Sequence, residues 1–166
     1  MTSMEARFRD AARTVPLPSP WNLSAYLAGV AAHRGRSISL HQVPAPALAE
    51  AGCRGSGLWV ARKHDDIIIY DSGVTERNAE HIILHEVGHM LLGHDSEDTD
   101  LDRAPGPTLA TLLPSISPSS IRHILGRNDF GAEREQEAEV FADMTMVYAT
   151  LPRRRDRSFR LFGRRR

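Results

Sequence analysis

Five consecutive residues, His85-Glu86-Val87-Gly88-His89, have the types and spacing best suited to chemistry in this sequence. In a helix, residues four apart stack on one face. His85 and His89 can therefore offer two imidazole nitrogens to one metal ion. Glu86, one position along, can reach a water on that ion without ligating it. This H-E-x-x-H spacing predicts zinc and the hydrolysis of a peptide bond, with the metal as Lewis acid and Glu86 as the base that later protonates the leaving amine. Two ordinary surface histidines are the plainer alternative. They fit less well because the same segment presents an apolar face of Ile83, Leu84, Val87 and Leu91. Gly88 stands mid-helix at a cost of ~1 kcal/mol relative to alanine, which points to a packing or access requirement.

A catalytic zinc takes three protein ligands and keeps one position open. The extended metzincin pattern H-E-x-x-H-x-x-G-x-x-H would place its Gly and last His where this chain has Leu92 and Asp95. Gly93 and His94 are each one residue out of register, so His94 reads as a helix-end histidine, while Asp95 stays open as a ligand. The other source is the segment Glu133-Arg134-Glu135-Gln136-Glu137-Ala138-Glu139-Val140-Phe141-Ala142-Asp143. Glu135 fits as the ligand. Glu139, four later on the same face, can hydrogen-bond a ligating histidine, with Ala138, Phe141 and Ala142 on the buried side. Spacing alone leaves other registers open: Glu133 with Glu137, Glu137 by itself, Glu139 with Asp143, or a merely solvated face.

These residues need elements to position them. Ser3 to Arg13 can form a short charged helix anchored by Phe8, interrupted by Pro16, Pro18 and Pro20. Trp21 to His33 has Leu23, Tyr26, Leu27 and Val30 at helical spacing, with Gly35 as its stop. Ile38 and Leu40 alternate with polar residues as in a half-buried strand. Pro44, Pro46, Gly52, Gly55 and Gly57 mark a loop or irregular short helix. Gly57–Ala61 and Asp66–Tyr70 are strand candidates, close enough for an antiparallel hairpin. Thr75 offers an N-cap hydroxyl to a helix reaching about Leu92, with Gly93 as its end. Asp95 to Pro107 reads as an acidic loop. Short helices are expected at Thr108–Leu113 and Ser119–Leu125, and a long one at Ala132–Thr150 ending before Pro152. The expected fold class is α+β: a small antiparallel sheet of about three strands, packed with the H-E-x-x-H helix and a second, Glu-bearing helix in a zincin-like arrangement.

The chain of 166 residues, with 41% hydrophobic and 25% charged residues, suits one soluble domain with a real core. Residues 1–152 are expected to form that domain, with a helix and Pro-rich linker over 1–20 and a core over about 38–151. No stretch approaches the ~20 apolar residues of a membrane span, and the charged N-terminus lacks the apolar region of a secretory signal. With Cys53 as the single cysteine no internal disulfide can form, so a cytoplasmic location without integral membrane contact is expected. The zero net charge is unevenly spread. Residues 153–166 hold eight arginines against one aspartate, leaving 13 basic and 20 acidic residues in 1–152. The tail is expected to be disordered and to dock a partner or remain solvated, with nucleic acid as the lesser alternative.

At this point the sequence resembles a known family. Gly57-Leu58-Trp59-Val60, Asp66-Ile67-Ile68-Ile69-Tyr70 and His81-Ile82-Ile83-Leu84-His85-Glu86-Val87-Gly88-His89-Met90-Leu91-Leu92-Gly93-His94 look like the ImmA/IrrE-type metallopeptidases. The late Glu135-Gln136-Glu137-Ala138-Glu139-Val140-Phe141-Ala142 is similar to that family's E-x-E/Q-A-N/D-x-F-A. The resemblance spans about Ile38 to Leu151. It implies zinc ligands His85, His89 and Glu135, with Glu86 as general base, and a substrate that is a helix-turn-helix repressor, cleaved or inactivated to relieve repression. Glu139 replaces the family's Asn or Asp, and Met144 to Pro152 departs from its usual Leu-Leu-Met-Pro-like end. A non-proteolytic zinc-containing regulatory or toxin–antitoxin-like binding module is the competing expectation.

Other features of the sequence have plainer readings. Asp98-Thr99-Asp100-Leu101-Asp102 opens like an EF-hand loop, but Arg103 stands where Gly is required and Leu109 where the closing Glu belongs, so calcium is not expected. His81, one turn before His85, reads as a helix-surface residue that could face the cleft. His123 and Tyr148 are candidates to steady an oxyanion, though no spacing selects either. Cys53 reads as a buried thiol.

Overall fold

The computed structural model describes residues 3–51, 53, 55–94, 112–114, 121–125 and 131–151, the side chains of 121–125 excepted. The expected acidic loop, the EF-hand-like segment and the Arg-rich tail lie outside the described residues, as does most of the helix expected at Thr108–Leu113.

Helix α1 spans Met4–Thr14, capped by the Ser3 hydroxyl, which accepts from the Ala6 N–H at 3.2 Å. Helix α2 spans Leu23–Arg34. It starts later than hydrophobic spacing suggests because Asn22 takes the cap, accepting from the Ala25 N–H at 2.8 Å. Its end is set by Gly35, whose φ of 66° is the left-handed conformation that glycine adopts without strain. Strand β1 (Ser37–Val43), the short helix α3 (Ala45–Glu50), and strands β2 (Gly57–Arg62) and β3 (Asp65–Asp71) follow. Helix α4 spans Glu76–Leu91, with Thr75 capping the Asn78 N–H at 3.3 Å. Strand β4 (Ile121–Leu125) and helix α5 (Gly131–Thr150) complete the described elements.

The fold is α+β, and the sheet differs from expectation in two ways. Its order is β1-β3-β2-β4, and it is mixed. The β2–β3 hairpin is antiparallel, as expected, with Trp59 opposite Ile68. The segment carrying α3 stays at one end of the sheet and passes β3, so β1 lies on the outer edge of β3 and runs parallel to it, Leu40 opposite Ile68. The second difference is β4, expected as a helix. The hairpin leaves one edge of β2 with unpaired backbone groups, and residues 121–125 pair with it antiparallel, Val60 opposite Ile124. Tertiary pairing outweighs weak local preference in so short a segment.

Alternation on β2 and β3 divides the interior. Trp59, Ala61, Ile68 and Tyr70 face a core shared with Phe8, Val30, Leu84, Val87 and Phe141. Leu58, Val60, Ile67 and Ile69 face a smaller one with Leu48, Cys53 and Leu113. Both faces are covered, which is why these strands read as continuous apolar runs. One charge is built into the larger core. Asp66, fully buried, accepts from Trp59 Nε1 at 3.0 Å and Arg34 Nε at 2.9 Å. Arg34 also reaches the Met90 carbonyl at 3.4 Å and so ties the end of α2 to the end of α4.

Candidate metal centre

Helix α4 brings His85, Glu86 and His89 into the interior, each at most 3% exposed. It packs along α5, and Gly88 is where the two helices meet. A Cβ there would lie 3.1 Å from Phe141 Cδ1 and 3.2 Å from both the Cα and the carbonyl oxygen of Ala138. The mid-helix glycine therefore meets a packing requirement: it lets α5 approach closely enough for its carboxylates to reach the histidines.

Three of the expected residues converge. His85, His89 and Glu135 each offer a ligand atom, and these atoms lie within 4.8 Å of one another. The two Nε2 atoms are 3.1 Å apart. Glu135 Oε2 is 3.4 Å from His85 Nε2, and Glu135 Oε1 is 3.4 Å from His89 Nε2. Bonds of ~2.0–2.2 Å around a tetrahedral ion separate neighbouring ligand atoms by ~3.3–3.6 Å, so the spacing suits such an ion. Glu135 Oε1 is moreover buried without a hydrogen-bond partner, a costly arrangement that a cation would relieve.

The outer nitrogens of both imidazoles are engaged. His85 Nδ1 lies 3.1 Å from Glu139 Oε2. A carboxylate only accepts, so Nδ1 carries the proton and Nε2 keeps its lone pair. Glu139 thus sits where helical spacing from Glu135 places it. His81 lies beside it, 3.0 Å from Asp143 Oδ1 and 3.7 Å from Glu139 Oε1. His81 therefore bridges α4 and α5 near the cluster.

His94 follows the end of α4, as its sequence reading expects, its N–H donating to the His89 carbonyl at 3.0 Å. It is also buried, with Nδ1 2.8 Å from His89 Nδ1 and Nε2 2.8 Å from Glu137 Oε2. Arg7 of α1 pairs with Glu137 and donates to the Leu92 carbonyl at 3.0 Å. Burial pushes the His94 pKa down, and the Arg7 and Arg134 charges add to this against the opposing pull of Glu137. Burial alone would raise Glu137, but hydrogen bonds from His94 and Arg7 and their charges outweigh it, leaving the carboxyl below its usual range. Sequence spacing missed this pair because Arg7 and Glu137 stand at opposite ends of the chain. The early charged helix was the one available signal.

Glu86 packs near the start of β2. A Cβ on Gly57 would lie 3.1 Å from Glu86 Oε1 and 2.5 Å from Ile82 Cγ2, so glycine makes room for the carboxylate there. Comparisons with family models, curated proteins and solved structures find no match. The resemblance of the two motifs therefore rests on their own residues.

Among the described side chains, the remaining candidates do not join the cluster. Tyr148 stacks on Phe8, ring centroids 5.4 Å apart, and so packs α1 against α5. The backbone of His123 pairs with Ala61 in β4. Cys53 is buried, its thiol 3.2 Å from the Gly57 carbonyl. Of the alternative carboxylate registers, Glu137 binds His94 and Arg7, Asp143 binds His81, and Glu133 is exposed. Asp95 lies outside the described residues. No helix among the described residues is long and apolar enough to cross a membrane.

Proposed function

We propose that this chain is a zinc-dependent endopeptidase of zincin-like architecture. The observation that carries the reading is the convergence of His85 Nε2, His89 Nε2 and the Glu135 carboxylate, with Glu86 buried one position after His85 on the helix that carries both histidines. These three residues would hold the ion. When bound, zinc supplies Lewis acidity and lowers the pKa of a water molecule toward neutrality.

The chain's own residues do the rest. Glu86 takes a proton from the attacking water onto its carboxylate and returns it to the nitrogen of the departing amine. Burial within α4 and the close approach of Gly57 restrict its movement, so little orientation is lost at the reacting geometry. Glu139 holds the His85 ring through Nδ1.

The substrate proposed is a helix-turn-helix repressor, and this part rests on the resemblance of both motifs to the ImmA/IrrE-type metallopeptidases. Such a role makes the enzyme a regulatory one with few substrates, working in the cytoplasm. The deciding experiment uses Glu86→Ala in the full chain with a candidate repressor. Zinc content should remain stoichiometric while cleavage falls by at least ~100-fold, the scale of a lost general base. A Glu86→Ala protein that keeps its zinc and still relieves repression would sink the peptidase reading in favour of a binding module.

A further inference from the structure

His94 lies beside the metal cluster without belonging to it, because both of its ring nitrogens are turned to other groups. We infer that His94, held by Glu137 and Arg7, is a positioning residue that fixes the proton of His89 on Nδ1 and so keeps His89 Nε2 ready for the metal. The inference rests on the zinc reading of the same cluster.

The Glu137 carboxylate is paired with the Arg7 guanidinium, which favours its ionised form, and an ionised carboxylate can only accept. The 2.8 Å contact to His94 Nε2 therefore needs the proton on that nitrogen. A neutral imidazole with Nε2–H has a bare Nδ1, which must accept in the 2.8 Å contact with His89 Nδ1. His89 is then the Nδ1–H tautomer, and its Nε2 presents a lone pair towards His85 Nε2 and Glu135. Reversing either step would put a proton on the ligating nitrogen.

The two ligating rings are thus oriented by different devices. His85 leans on Glu139, whose side chain is 45% exposed, whereas His89 leans on the buried His94, which the partly buried Glu137–Arg7 pair backs from α5 and α1. Arg7 also donates to the Leu92 carbonyl, so the same side chain secures the end of α4. An N-terminal helix remote in sequence becomes part of the metal centre.

The test reads two quantities on the full-length protein: the imidazole nitrogen chemical shifts of the metal-free form by NMR, and zinc affinity by competition with a chromophoric chelator. The wild type should show His89 as the Nδ1–H tautomer before any metal is added. In His94→Phe that tautomer should give way to a mixture and zinc affinity should fall by ~10–100-fold, the usual loss for groups behind a ligand. His94→Asn places an oxygen where it can accept the same proton and should recover most of the affinity. Arg7→Met, a change at a partly exposed side chain that keeps the testing possible if His94→Phe does not fold, should give a smaller loss in the same direction. Wild-type zinc affinity with an unchanged His89 tautomer in His94→Phe, or in Arg7→Met where only that variant folds, overturns the inference. A wild type that takes up no stoichiometric zinc overturns the metal reading and the inference with it. The tautomer, read without metal, tells that failure apart from the first.

Discussion

Among single residues, Glu135 shows how far spacing could go. The pair Glu135 and Glu139 was one of several registers open on a Glu-rich helix, and resemblance alone favoured it. The packing of α5 on α4 brings Glu135 to the histidines and puts Glu139 on His85 Nδ1, while Glu137 turns to His94 and Arg7. A helix periodicity cannot make that choice, because it depends on which face of α5 meets α4. Glu135→Ala should reduce zinc from stoichiometric to below about a tenth of sites at micromolar metal, since two histidines alone hold zinc poorly; metal analysis after dialysis checks it. Retained stoichiometric zinc would move the third ligand to another carboxylate.

Among the elements, α4 was the most legible. Its Thr75 cap, apolar face and Gly93 stop agree with the observed Glu76–Leu91 within the usual end effects. The hairpin was equally clear from two apolar runs separated by a short polar turn. The parallel placing of β1 and the strand at 121–125 were not, because both depend on which sheet edge is left open, a property of the assembled sheet. Gly88 joins the two kinds of information: sequence marks it as a costly residue in a helix, and the α4–α5 contact supplies the reason. Gly88→Val would drive methyl groups into Phe141 and the Ala138 backbone. Relieving that overlap means moving α5 outward, and overpacking of this kind costs ~1–3 kcal/mol. Urea unfolding of the metal-free protein should show that loss, and zinc affinity should fall as well because Glu135 moves with α5. Unchanged affinity in a destabilised variant would mean that the helices part elsewhere and that Gly88 does not set the ligand spacing.

For the molecule as a whole, the residues that resemble a family begin near Ile38, yet α1 closes the centre from outside that span through Arg7 and packs on α5 through Phe8 against Phe141 and Tyr148. The relay from Arg7 to His89 should make metal-free stability depend on pH in two windows. The pKa of His94 is lowered in the folded chain, mainly by burial, from its ordinary value of 6.5. Between the folded and ordinary values the unfolded chain holds more protons, so stability rises with pH there; it is complete above 6.5 and lost as pH falls through the folded value. Glu137 is also lowered, from 4.5, by its hydrogen bonds to His94 and Arg7 overcoming desolvation. Its contribution is complete above 4.5 and lost as pH falls through its own folded value. Acid should therefore weaken the metal-free fold in two successive stages, and zinc should add a further loss because its ligands must be deprotonated. Urea midpoints measured against pH would check this, with His94→Asn flattening the upper stage and Arg7→Met reducing the lower one. A His94→Asn protein with the wild-type slope just below pH 6.5 would show that the upper stage belongs to another histidine.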